Sequence, residues 1–182
     1  GGGRVPVRSG GSGLGSGRAQ GRRLAAFAAP EGMATIAVDP VSHGEHPDVA
    51  EGESTETLNT VIRFFTIGSD LRVRAIRPLQ LRDHWRQASY DKLQLVRLVQ
   101  GGLDLDGDDA VDLDADRMSY LGVSLGGIMG VQLFAATDAV RPCVRALPGG
   151  RVASITRDGS LAGASAAAVR PLCPDRRAAV RP

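Results

Sequence analysis

Apolar residues along the chain fall into two kinds of pattern. Three short apolar runs have the composition of buried parallel strands. They lie at residues 33–39, 117–123 and 140–147. Three longer segments carry apolar residues at helical spacing, which predicts helices. These segments span residues 56–68, 79–102 and 126–137. Strands that alternate with helices predict an α/β fold built on a parallel sheet.

Both ends of the chain lack this pattern. Residues 1–23 are rich in Gly, Ser and Arg, and residues 151–182 are rich in Ala, Arg and Pro. Such segments bury too little apolar area to offset the entropy of ordering, so we expect them to be disordered or irregular. We therefore expect a partial core at residues 24–150. Two explanations stay open: a truncated or frameshifted reading of a longer gene, and a domain with ordinary disordered tails.

Composition excludes several classes of function. The 182 residues suffice for one domain, and a net charge of +2 gives no electrostatic case for nucleic acid or a membrane surface. No apolar run reaches the roughly 18 residues of a transmembrane helix. Cys143 and Cys173 have neither CxxC spacing nor a neighbouring histidine, which argues against zinc and leaves a disulfide or free thiols open. Oligomeric state stays undecided.

One serine, Ser124, stands between Gly122 and Gly126, where a predicted strand meets a predicted helix. A sharp turn at such a junction exposes the hydroxyl, and flanking glycines let neighbouring backbone pass without a Cβ clash. The N–H group of Leu125 would then face a developing oxyanion at the helix N-terminus. This pattern indicates a nucleophile, and an ordinary glycine-rich turn is the alternative.

The segment YLGVSLGG, residues 120–127, matches the nucleophile elbow of the α/β-hydrolases. Together with MATIAVDPVSHGEH at residues 33–46, it makes residues 33–150 resemble the central part of bacterial secreted esterases and lipases. The resemblance implies a three-layer core around a parallel sheet and a serine hydrolase that acts on small-molecule or lipid carboxylic esters. It also implies no required cofactor and an extracellular or cell-envelope location.

The rest of the catalytic machinery of that family does not follow in this sequence. Family members place an acid and then a histidine after the nucleophile. All three histidines precede Ser124: His43, His46 and His84. No loop that could supply a second oxyanion donor is evident before residue 24. We therefore expect a weakly active or inactive chain. His43, after the first predicted strand, is the one candidate for a substitute base, and a role in a polar turn is its alternative.

Seven aspartates occupy thirteen residues before the Ser124 strand: Asp104, Asp106, Asp108, Asp109, Asp112, Asp114 and Asp116. An EF-hand frame from Asp104 fails, because Asp109 replaces the required glycine and Ala115 the required glutamate. A looser calcium loop formed by Asp104, Asp106, Asp108 and Asp112 stays open, beside a solvated acidic loop. The rival function is accordingly a non-catalytic calcium-binding or interaction module in which Ser124 is a turn residue.

Overall fold

A computed structural model describes residues 3–53, 56–66 and 77–146. Within these ranges lie four strands and four helices, with two helices between the second and third strands, and a short 3-10 turn at Ala29–Glu31 follows the first helix. The strands are β1 (Val5–Gly11), β2 (Ala34–Ala37), β3 (Leu113–Val123) and β4 (Val140–Ala146). The helices are α1 (Ala19–Ala28), α2 (Thr57–Phe64), α3 (Pro78–Gln100) and α4 (Leu125–Ala136).

The four strands form one parallel sheet in the order β2-β1-β3-β4. In register, Gly10 of β1 lies opposite Ala37 of β2 and Leu121 of β3. Because all strands run the same way, their carboxyl ends meet at one edge, where Ser124 follows β3. The predicted α/β class with a parallel sheet is confirmed.

The predicted disorder of residues 1–23 is wrong, because β1 and the start of α1 lie in this segment. β1 is an interior strand that pairs with β2 on one side and with β3 on the other. The backbone groups of β1 form hydrogen bonds with both neighbouring strands, so its small side chains need not bury much apolar area. The predicted boundary at Leu24 therefore falls inside α1. The predicted irregular tail at 151–182 lies outside the described residues.

Helices cover both faces of the sheet around β1. Consecutive strand residues point to opposite faces, and a Cβ atom at Gly10 would contact Leu24 of α1. A Cβ atom at Gly11 would instead meet Tyr120 and Gly126, on the side of α4. The main core lies on that second face, between the sheet and helices α3 and α4. Its buried members are Val7, Val96, Val99, Leu113, Met118, Tyr120, Leu133 and Val140.

β3 is longer than its apolar run predicts. It begins at Leu113, and Asp114 and Asp116 belong to the strand and not to the acidic loop before it. The bounds of β2, β4, α3 and α4 agree with the predicted ones to within two residues, and α2 ends at Phe64, four residues before the predicted end at residue 68. β1 and α1 were not predicted. Among the described helices, none is long and apolar enough to cross a bilayer.

Candidate functional site

Ser124 occupies the single residue between the end of β3 at Val123 and the start of α4 at Leu125. Its backbone has φ +50° and ψ −112°, a conformation that non-glycine residues rarely adopt. Its carbonyl accepts the N–H of Ile128, in the first turn of α4, at 3.1 Å. The side chain is exposed. The turn therefore presents the hydroxyl to solvent from a strained backbone.

Two of the glycines around this turn are sterically required. A Cβ atom on Gly126 would overlap the carbonyl of Gly11, and one on Gly122 would lie 2.6 Å from the carbonyl oxygen of Gly126. The N–H of Gly126 donates to the carbonyl of Ser12 at 2.9 Å. Tyr120 lies beneath the turn, and its hydroxyl donates to the Gly126 carbonyl at 2.7 Å. The first turn of α4 is thus packed directly against the end of β1.

The loop after β1 forms one wall of the Ser124 turn. A Cβ atom on Gly13 would lie 3.8 Å from the Cβ of Ser124, which is ordinary van der Waals contact. The N–H of Gly13 itself donates to Gln20 Oε1 at 2.9 Å. A loop that follows a strand is thus present before residue 24, where the sequence shows none by its pattern. The sequence does not predict this loop, because GGSGLGSG at residues 10–17 has the composition of a disordered segment.

Leu125 is the first residue of α4. Its side chain is buried in a second apolar cluster with Val41, Phe64, Ala88 and Met129. The first N–H groups of a helix have no acceptor within the helix and carry positive partial charge. The N–H of Leu125 therefore belongs to the positive end of α4, next to the exposed hydroxyl of Ser124.

His43 is almost fully buried, with 1% of its surface exposed, and its ring packs edge-on against Phe64 with centroids 5.6 Å apart. Nδ1 lies 2.7 Å from the carbonyl oxygen of Val41, so Nδ1 carries the proton and donates. Nε2 is buried and has no hydrogen-bond partner among the described residues, so neither nitrogen bonds to Ser124. Burial lowers the pKa of His43 below its usual value. The ring is neutral near pH 7.

The other two histidines join loops and helices. Nδ1 of His46 lies 2.5 Å from Asp48, and its Nε2 lies 3.4 Å from Asp91 of α3. Nδ1 of His84 lies 3.0 Å from the carbonyl oxygen of Phe64, which joins α3 to the end of α2. His84 is therefore a packing residue between these two helices.

The acidic loop brings three exposed carboxylates together. Asp104, Asp106 and Asp108 each offer an oxygen within 4.8 Å of the others, a set that could hold a cation. Asp104 also accepts the N–H groups of Gly107 and Asp109. The hydrogen bond from Gly107 is the main reason why its pKa lies below the usual value.

Asp112 does not join these three carboxylates in the described structure. Its carboxylate instead accepts the N–H of Leu105 at 2.6 Å.

Lys92 is a buried cation that the sequence analysis does not single out. It lies on α3 with 3% of its surface exposed. Nζ donates to the carbonyl of Ala88 at 3.2 Å and lies 3.5 Å from the sulfur of Met129 on α4. Burial lowers its pKa from 10.5 to about 8. It is the only lysine of the chain.

No protein-family profile and no curated protein sequence matches this chain. Solved structures with a similar fold include a hypothetical protein from Pseudomonas aeruginosa, with a TM-score of 0.54 and 18% identity over 87% of this chain and 38% of that protein. A putative acetyl xylan esterase from Bacteroides fragilis has the same TM-score and identity over 77% of this chain and 36% of the esterase. The chain thus spans less than two fifths of either protein. At this identity the likeness concerns the fold alone.

Proposed function

We propose that this chain carries the nucleophile of a serine hydrolase of the esterase or lipase type, with Ser124 attacking carboxylic esters. The observation that carries the proposal is the backbone of Ser124: φ +50° and ψ −112° between a parallel strand and a helix, with the side chain exposed. Serine nucleophiles of α/β-hydrolases occupy a strained turn of this kind. The fold shared with a putative acetyl xylan esterase supports the same class.

Backbone donors are available on two sides of the proposed nucleophile. The N–H of Leu125, at the positive end of α4, would bind the oxyanion of a tetrahedral intermediate. The loop after β1 would supply the second donor. Since Gly13 donates its own N–H to Gln20, the candidates are its neighbours Ser12 and Leu14.

The chain does not offer a general base for this reaction in the usual place, which is after the nucleophile in the sequence. No histidine follows Ser124 in the sequence. His43 has an unprotonated Nε2, but this atom is buried and is not bonded to Ser124. Base assistance contributes about 10²–10⁴-fold to such reactions. We therefore expect Ser124 to be acylated by activated esters, with turnover close to background.

The test is covalent labelling of Ser124. The serine oxygen attacks the carbonyl carbon of an aryl acetate, a C–O bond forms, the aryl oxide leaves, and the hydroxyl proton passes to water. We expect mass spectrometry to find one acetyl group on the peptide that contains Ser124. Ser124→Ala should abolish labelling, and Ser89→Ala, which removes an ordinary helix serine, should retain it. Labelling that persists in Ser124→Ala would refute the proposal.

The rival function, a calcium-binding or interaction module, is supported by the cluster of Asp104, Asp106 and Asp108. The carboxylate of Asp104 already accepts hydrogen bonds from the N–H groups of Gly107 and Asp109 in its own loop. A solvated acidic loop therefore accounts for the hydrogen bonds of this residue. The strained backbone of Ser124 has no comparable structural explanation, so the hydrolase proposal is the better supported.

A further inference from the structure

The loop between β1 and α1 determines which backbone groups face Ser124. It runs over residues 12–18. At one end, the carbonyl of Ser12 accepts the N–H of Gly126, and a Cβ atom on Gly13 would lie in van der Waals contact with Ser124. A shift of this loop would therefore move its amides relative to the Ser124 hydroxyl.

Asp39 holds the far end of this loop. Its side chain is 4% exposed and lies just after β2. One carboxylate oxygen accepts the N–H of Arg18 at 2.5 Å, and the other accepts the N–H of Glu45 at 2.9 Å. A carboxylate that accepts backbone N–H groups makes strong, charge-assisted hydrogen bonds. Asp39 thereby ties the loop after β1 to the loop after β2.

Two glycines leave room for this carboxylate. A Cβ atom on Gly17 would overlap an oxygen of Asp39, and one on Gly44 would lie 2.5 Å from its carboxylate. Gly44 also has φ +51°, a backbone that favours glycine. The carboxylate is thus enclosed by the backbone of both loops, and its position leaves no space for side chains at residues 17 and 44.

Gln20 holds the near end of the loop. It lies in the first turn of α1, is half-buried, and accepts the N–H of Gly13 through Oε1 at 2.9 Å. The amide of Gly13, a residue of this loop beside the Ser124 turn, is therefore fixed by a side chain from a helix. Asp39 and Gln20 act on the two ends of one seven-residue segment.

We infer that Asp39 and Gln20 are positioning residues of the Ser124 site: they hold the loop after β1 so that its backbone donors face the oxygen that becomes charged in the reaction. This inference rests on the proposed function. Neither side chain is required to touch the substrate. Losing either should slow the covalent step, because misplacing a reacting or stabilising group by about 1 Å can cost up to about 100-fold in rate. Binding of the reagent should change little.

The experiment measures the reaction of Ser124 with an alkyl fluorophosphonate, separating the maximal rate constant kinact from the binding constant KI. In that reaction the serine oxygen bonds to phosphorus, fluoride leaves, and the proton passes to water. We expect Asp39→Asn and Gln20→Met each to lower kinact about tenfold and to change KI less than twofold. Glu45→Gln is the matched control, because it alters an exposed partner of Arg18 and keeps the Glu45 N–H; its kinact should stay within twofold of wild type.

Circular dichroism would confirm that each variant is folded, and hydrogen exchange would report the amides of the loop. Folded variants that react at the wild-type kinact would overturn the inference and leave Ser124 as the nucleophile, even if the loop amides exchange faster. If Asp39→Asn does not fold, the kinact of Gln20→Met tests the inference, since this substitution removes a single acceptor from a half-buried position. A wild-type protein that does not react at Ser124 would overturn the proposed function, and the positioning roles with it.

Discussion

Lys92 provides a quantitative test of the packing between α3 and α4. Its ammonium group is buried, bonds to the carbonyl of Ala88, and lies against the sulfur of Met129. Burial lowers the pKa of Lys92 from 10.5 to about 8, and the charge of Asp91 opposes this only in part. At 1.36 kcal/mol for each pKa unit, the difference corresponds to about 3 kcal/mol of folding free energy lost at pH 7.

The sign follows from proton binding. At pH 7 both states are protonated, and the folded state carries the full cost of the buried charge. Between pH 8 and pH 10.5 the unfolded chain keeps the proton that the folded protein has released, so the free energy of unfolding rises with pH. Above pH 10.5 the cost has disappeared.

Lys92→Met removes the charge and keeps an unbranched chain against Met129. The substitution loses one hydrogen bond, worth about 1 kcal/mol. We therefore expect a gain of about 2 kcal/mol in the free energy of unfolding at pH 7, which disappears as the pH approaches 10.5 and leaves only the loss of the hydrogen bond, about 1 kcal/mol. Urea denaturation followed by circular dichroism from pH 7 to 10.5, wild type beside variant, measures this difference.

Two controls accompany Lys92→Met. Lys92→Arg keeps a charge that cannot be released, so it should destabilise at every pH in the range. Arg97→Met removes an exposed cation of the same helix and should change stability by less than about 0.5 kcal/mol. A Lys92→Met protein that is no more stable than wild type at pH 7, or a stability difference that does not change with pH, would show that the ammonium group is not desolvated as described.

Three further predictions concern other parts of the molecule. Gly126→Ala should cost about 3 kcal/mol in chemical denaturation, because its Cβ would overlap the Gly11 carbonyl; Gly101→Ala, whose Cβ would lie at ordinary van der Waals distance from the nearest carbonyl oxygens, should be near neutral. Because the pKa of His43 is lowered, stability should fall as pH decreases below about 6.5, and a His43→Leu protein should lose this dependence in urea titrations from pH 5 to 8. The calcium loop requires that millimolar Ca²⁺ raise the Tm of wild type but not of Asp106→Asn; equal melting curves with and without Ca²⁺ would exclude it.

The turn at Ser124 was predictable because local sequence determines it. An apolar strand, a glycine at 122 and an apolar helix leave few other arrangements, and β3 ends and α4 begins next to the expected residue. Helices α2, α3 and α4 were predictable for the same reason, whereas α1 was not predicted. The start of β3 was not, because Asp114 and Asp116 resemble the acidic loop in composition. Only pairing across the sheet, Leu113 with Val5 and Asp114 with Pro6, extends the strand over them.

β1 could not be found by a search for apolar runs, since Gly10 and Gly11 contribute little buried apolar area. What holds this strand is its two neighbours and the close approach of Gly11 to α4, and both are long-range features. The roles of Asp39 and Gln20 depend on the same strand. Without β1, the loop that follows it cannot be placed beside Ser124.

Folding alone would not favour a serine side chain at position 124. A positive φ costs a non-glycine residue about 1–3 kcal/mol, and glycine would adopt this backbone without that strain. Among the described residues the Ser124 side chain makes no capping hydrogen bond to α4 that could offset the cost, and its hydroxyl faces solvent. The neighbouring positions 122 and 126, by contrast, carry the glycines that packing requires. A residue that only filled the turn would be expected to relieve the strain, so the serine here favours chemistry at its hydroxyl over a purely structural role.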